Sequence, residues 1–456
     1  MRKITAFLAL TVVVAIAGVS APSPPADGNK YWPQWRGPLA SGVAPEGDPP
    51  VEWAADKNIK WKVEIPGKGS ATPIVWGDRI FVLTAVPTDK RPPAKEGPPA
   101  EAAPAEGAQA GRRRDVQPEF IQQFIVIAIN RKDGKTLWQK IVREELPHEG
   151  ANPNATITWA SNSPVTDGKM VYAHFGSRGL YALDMQGNLK WERDLGDMNT
   201  GGFGEGSSPA LDGDRLVVNW DHEGESFIVA LDKKTGKELW RTPRNEKTTW
   251  STPLIVEHGG KKQVITAGTR KVRSYDLADG HLLWEGPGLG SPGCVASPVH
   301  SNGVVYVMNG SALYAIRLAE AKGDITAAPQ VFVWKHDRNA PWVPSPLLYG
   351  DALYFLKNNT GILSVFNAKT GEKLYGPQRL EGVPEVYASP VGAAGRIYIA
   401  GREGGVAVIA SGREFKLLAL NQLDDGFDAS PVVVGNELYL RGRKHLYRIS
   451  KDWEQM

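Results

Sequence analysis

The sequence predicts an all-β protein, an eight-bladed β-propeller of four-stranded antiparallel blades, and three observations predict it. A proline that opens a short apolar run recurs at Pro73, Pro164, Pro209, Pro253, Pro298, Pro346, Pro390 and Pro431, in steps of 41 to 48 residues apart from a first step of 91. A Gly followed four residues later by Trp recurs at Gly134/Trp138, Gly187/Trp191, Gly236/Trp240 and Gly280/Trp284, with Tyr375 after Gly371. Glycine is 50 of 456 residues, above the usual ~7%, as frequent tight turns require.

The clearest copy spans residues 208–240. Ser208-Pro209 opens the first run, Asp212-Gly213 turns into a second, a loop leads to Phe227-Ile-Val-Ala-Leu-Asp232, and Thr235-Gly236 turns into the run that carries Trp240. Strands apolar on both faces, such as 227–231, suit blades covered by a neighbour on each side. Trp61, Trp138, Trp191, Trp240, Trp284 and Trp334 are then expected to be structural, filling the space between blades. Blade seven departs most, with Lys416 four residues after its turn glycine.

Residues 1–21 read as a signal peptide, with a basic Met1-Arg2-Lys3, an apolar stretch over 4–19 and small residues at Val19 and Ala21 for cleavage after Ala21. The mature chain is therefore expected outside the cytoplasm, periplasmic or secreted, with no transmembrane segment. Cys294 is the single cysteine, which excludes an internal disulfide and an N-terminal lipid-bearing Cys. A net charge of +3 argues against nucleic acid as a partner.

Residues 22–57 form an irregular arm containing Tyr31-Trp-Pro-Gln-Trp-Arg-Gly-Pro38, whose tryptophans need burial against the propeller, domain 58–456. Residues 58–65 read as a fourth strand without its first three, and the last repeat lacks a fourth strand. Pairing them closes the ring with an N-terminal strand and removes a free edge. The insertion 87–118 in blade one, rich in Pro, Ala and Glu, has too little apolar bulk to order itself and is expected to be disordered. Its Arg112-Arg113-Arg114 reads as a solvated run or a docking element.

These motifs resemble the pyrroloquinoline-quinone-like β-propeller repeat family of exported bacterial proteins, whose units read Ser-Pro, Gly-Asp, Ala-Leu-Asp, Thr-Gly and Trp. The resemblance covers about residues 58–450, with Tyr181-Ala-Leu-Asp184 and Gly187 to Trp191 among the closest matches. It implies relatives among quinoprotein dehydrogenases and outer-membrane-protein assembly lipoproteins. The dehydrogenases of this fold carry adjacent disulfide-bonded cysteines, which one Cys cannot supply, and the assembly proteins a lipidated Cys that is absent. No cofactor is expected; pyrroloquinoline quinone with calcium belongs to the enzymatic alternative.

Long links gather at one end of the ring, so a ligand is expected there. The candidates at the channel mouth are Arg270, Lys357, Arg402 and Arg441, with Trp220, Asp221, His222 and Trp250 near them. Together the cations would make a positive funnel, unless loop carboxylates neutralise them. No metal is expected, because Asp221, His222 and Glu223 are consecutive and cannot all face one ion. The sequence therefore reads as a monomeric binding or scaffolding module for a protein or a small anionic or carbohydrate-like ligand. A quinone-dependent oxidoreductase acting on alcohols or sugars is the alternative.

Overall fold

The computed structural model describes residues 28–92, 118–152, 156–290, 293–310, 312–337 and 340–451; the signal peptide and residues 93–117 of the insertion lie outside them. Eight four-stranded antiparallel blades follow one another, and in all but the last the four strands run in chain order from the innermost outward. Blade three shows the plan: Ala210–Asp212, Arg215–Trp220, Ser226–Asp232 and Glu238–Arg244. Its third strand is buried almost throughout, whereas its outer strand alternates between core and solvent. In blade eight the outer strand is Ile59–Glu64, which pairs antiparallel with His445–Ser450 from Ile59 opposite Ile449 to Glu64 opposite His445. That pairing closes the ring. Among the described residues no helix is long and apolar enough to cross a membrane.

Two repeated contacts turn the sequence motif into a ring. The Ser or Thr before each repeat proline accepts, on its hydroxyl, the backbone N–H of its counterpart one blade earlier, at 2.8 to 3.1 Å. The order Thr72, Ser163, Ser208, Thr252, Ser297, Ser345, Ser389, Ser430 returns to Thr72, giving a closed belt. Further out, the outer-strand Trp of one blade docks on the last turn of the next. Its indole N–H donates to a turn carbonyl there, Trp61 to Arg131, Trp138 to Met185, Trp191 to Lys233, Trp240 to Leu277 and Trp334 to Ala368. The turn glycine must lack a side chain because the ring lies on it. At Gly236, with φ +68°, a Cβ would sit 2.7 Å from Trp191.

Three places depart from the sequence reading. Trp284 is buried but donates to Gln263 within its own blade, because blade five offers no Thr-Gly turn to dock on. That blade instead sends Gly323–Asp324 back to add a parallel fifth strand to blade four. Lys416 does not hold the tryptophan position in blade seven: Val408 pairs with Ala419 as Ala230 pairs with Trp240, since the turn is one residue longer and its glycine, Gly412, sits two residues earlier in it. In blade one, the strand Arg79–Pro87 runs through Pro87, and Thr88 and Lys90 still pair with Ile121. The stalk of the insertion is thus part of the ladder.

The described part of the arm crosses the turn end of the central channel. Trp32, almost fully buried, exchanges backbone hydrogen bonds with Val75 of blade one; Pro33 accepts from Thr166 of blade two; and residues 42–44 pair with Gly392 of blade seven. Between these anchors the buried Arg36 donates to the carbonyls of Ser41, Pro346 and Pro390 at 2.7 to 2.8 Å. Burial, with no carboxylate to offset it, pushes the Arg36 pKa down to about 9.

Candidate functional site

The opposite end of the ring carries the long links, and the expected site residues divide there into buried supports and surface groups. Trp220 is buried and stacks on Phe227, with ring centroids 5.8 Å apart. Asp221 makes a two-pronged ion pair with Arg244 at 2.7 and 2.9 Å, both side chains having no solvent exposure. His222 Nδ1 accepts the Asn199 N–H at 3.0 Å, and its Nε2 lies 3.2 Å from the Glu225 carbonyl. These three shape the blade-three loop from beneath. Trp250 is half-buried, donates to the Gly204 carbonyl at 2.6 Å and meets the exposed Phe203 edge-on.

The cations do not gather into one funnel. Arg402 pairs with Asp428 at 2.7 Å and Glu385 at 3.0 Å and stacks over Tyr387, while Arg443 shares Asp428. Arg441 is buried, donating to the Ala71 carbonyl at 2.9 Å, and burial lowers its pKa to about 9. Lys357 is exposed, and Arg270 faces Asn245. Local carboxylates therefore neutralise the blade-seven part of the mouth, and Arg441 is sealed from it.

What the structure does assemble is a depression of about 550 Å³ between blades three and four. Glu223, Glu225, Arg244, Asn245, Lys247 and Arg270 line it. Its charges are mostly spoken for: Glu223 pairs with Lys247 at 2.6 Å, Asp221 with Arg244, and the buried Glu246 with Arg273 at 3.0 Å. Glu225 and Arg270 are the lining charges without an ion-pair partner among the described residues. The walls therefore suit a polar or dipolar group more than a bare anion.

The mouth itself is crossed by the link between blades one and two, described over residues 146–152 and 156–160. Glu149 holds the backbone N–H of Thr200 at 3.0 Å and its hydroxyl as well, on the link between blades two and three. Thr156 accepts from Arg402 of blade seven at 3.0 Å, and Thr158 accepts the Ser70 N–H. Beneath it lies a cluster that sequence reasoning missed. Ser177 donates its backbone N–H to Glu205 at 2.8 Å and its hydroxyl to the same carboxyl, and His148 Nε2 lies 3.6 Å from that carboxyl and bonds the Met198 carbonyl. Their positions on three separate links leave no spacing signal; the links of His148 and Glu205 are unusually long, whereas Ser177 sits on a short one between Met170–His174 and Leu180–Asp184.

Cys294 is buried and alone, and the His, Asp and Glu residues with metal-ligand spacing among the described ones are Asp276, Asp279 and His281, on a turn at the far end of the ring.

Fold and site together define an eight-bladed propeller whose channel is crossed at both ends by its own chain and whose recesses lie on its loop end. A family model described as outer membrane protein assembly factor BamB matches residues 25–218 and 224–453, so the chain belongs to this pyrroloquinoline-quinone-like β-propeller family. Among solved structures it is similar to BamB from Moraxella catarrhalis (14% identity, TM-score 0.51, covering 72% of this chain and 93% of that one). It is also similar to a europium-containing methanol dehydrogenase (11%, 0.64, 91% and 90%) and to the quinohemoprotein alcohol dehydrogenase of Comamonas testosteroni (11%, 0.61, 93% and 81%). At these identities the likeness is one of fold. No curated protein matches the chain.

Proposed function

We propose that this chain is an extracytoplasmic binding or scaffolding module that receives a protein partner on its loop end, at the depression between blades three and four. The observation that carries the reading is the double crossing of the channel: arm residues 31–44 span one end, and residues 146–152 and 156–160 lie across the other. Recognition then falls to the outer loop surface, where the exposed Phe203 packs on Trp250, three residues along the chain from Lys247 of the polar recess. An apolar projection beside a charged rim suits a protein surface better than a small free anion.

Photo-crosslinking in the extracytoplasmic fraction tests this. A probe at Phe203 or Glu225 is expected to capture one discrete protein, and Arg270→Glu to weaken that capture. Capture from the turn end instead would overturn the placement. The oxidoreductase reading draws on the extent of the fold likeness to the methanol dehydrogenase. Adding quinone and calcium and following dye reduction by alcohols or sugars separates the two; turnover would overturn the binding reading.

A further inference from the structure

The link that crosses the mouth is fastened at one end by groups whose bonding depends on protons. We propose that the Ser177–Glu205–His148 cluster is a proton-controlled latch, which holds residues 146–152 against blades two and three while Glu205 is protonated and His148 is neutral.

The geometry confines all three groups. Ser177 is buried, and the His148 and Glu205 side chains are 9% and 11% exposed, so a charge on either is poorly solvated. At Gly176, φ +56°, a Cβ would lie 1.3 Å from Glu205 Oε2, so the carboxyl occupies space that only glycine leaves. The Ser177 hydroxyl also accepts the Met198 N–H at 2.8 Å and lies 3.5 Å from His148 Nε2. One hydroxyl thus ties the carboxyl, the imidazole and the blade-two to blade-three link together. The other charged groups facing the cluster are Glu149, Asp197 and Arg178, and Arg178 already pairs with Asp197 at 3.1 Å and donates to the Leu146 carbonyl.

Burial pushes the Glu205 carboxyl up to about 7, against the Ser177 hydrogen bonds and with Glu149 adding to the rise. Burial also pushes the His148 imidazole below its ordinary value, against the Met198 carbonyl, Glu149 and Asp197. A carboxyl with a raised pKa favours the docked link at low pH, and that contribution fades as pH climbs from its ordinary value to about 7. An imidazole with a lowered pKa favours docking when neutral, and its contribution is lost as pH falls below its ordinary value. Between the two ordinary values the contributions oppose each other, so the wild-type link loosens mainly as pH climbs from the imidazole's ordinary value to about 7.

Hydrogen exchange of residues 146–152 and 198–202, corrected for intrinsic rates, tests this between pH 5 and 9. Protection is expected to fall about threefold on the alkaline side, from the roughly half unit between the imidazole's ordinary value and about 7. Glu205→Gln, which mimics the protonated carboxyl, should abolish the alkaline limb and uncover a loss of protection toward acid that the carboxyl otherwise offsets. His148→Gln, which removes the offsetting imidazole, should deepen the alkaline loss to more than about tenfold. Variants whose profiles match the wild type's would overturn the latch. Should Glu205→Gln fail to fold, His148→Gln decides alone, and an alkaline loss no larger than the wild type's would refute it.

Discussion

Blades three and eight have the same four strands, yet they are held together by different means. In blade three the third and fourth strands are joined by a turn in which Asp232 accepts the N–H groups of Lys234 and Thr235 and the Thr235 hydroxyl, at 2.8 to 3.0 Å. In blade eight no turn exists at that place, because the fourth strand comes from residues 59–64. A long-range ionic knot stands in its stead. Glu437 receives Arg131 of blade one at 2.6 Å and Arg448 of its own third strand, while Arg448 reaches the Lys132 carbonyl at 2.8 Å. Where local turn chemistry is missing, closure relies on partners about three hundred residues away, and it should fail differently.

The harshest way to break the comparison is to remove the strand that blade eight borrows. Deleting residues 22–65 exposes the edge His445–Ser450 and should convert a monodisperse protein into aggregates on light scattering. A truncated chain that stays monomeric and melts at the wild-type temperature would show that closure does not depend on this strand.

Next comes the blade-three dock. Trp240→Ala should cost about 3–5 kcal/mol in chemical denaturation, since the ring is 8% exposed and its cavity cannot collapse onto a turn held by glycine. A cost below about 1 kcal/mol would place the side chain outside the core.

The ionic knot ranks third. Glu437 is 13% exposed on its side chain, and Glu437→Gln leaves two guanidiniums short of a charge, so a loss of about 1–3 kcal/mol is expected. Burial pushes its pKa up, but the Tyr439 hydroxyl and the two arginines pull it below the ordinary value. Its stabilisation is thus complete above that ordinary value and is lost as pH falls through the lowered one. Melting temperature followed from pH 6 downward should drop less steeply in Glu437→Gln than in the wild type.

Smallest is the ion pair between Lys262 and Asp212 at 2.7 Å, which joins blades three and four near solvent. Lys262→Met should change stability by less than about 1 kcal/mol. A larger loss would mean that the ordinary seam is as dependent on charge as blade eight.

Most of the ring was legible because each of its signals is local. The proline step, the turn glycine and the tryptophan lie within one repeat, and their phase alone predicts eight blades. Blade seven escaped because register is set by turn length: residues 411–416 carry the strand past Lys416 and put Ala419 opposite Val408. Trp284 escaped because its partner depends on what the following blade offers. At the loop end, positions along the chain placed Arg402 and Arg441 at the ends of second strands, but their partners, Asp428 on the link to blade eight and the Ala71 carbonyl of blade one, are not fixed by the repeat spacing. His148, Ser177 and Glu205 were illegible for the same reason.

The hydroxyl belt has no beginning. Its eight bonds run in one rotational sense, and the step from Ser430 to Thr72, across the chain's two ends, measures 3.1 Å, against 2.8 to 3.0 Å for the others. Nothing in it registers which blade was synthesised first. The order of repeats along the gene is therefore invisible to the inner ring, and a circularly permuted chain, joined between 451 and 58 and opened at the exposed Gly259-Gly260 turn, would rebuild the same belt link for link. What such a chain would give up is the arm, whose Trp32 and Arg36 fit only the channel end they now cross.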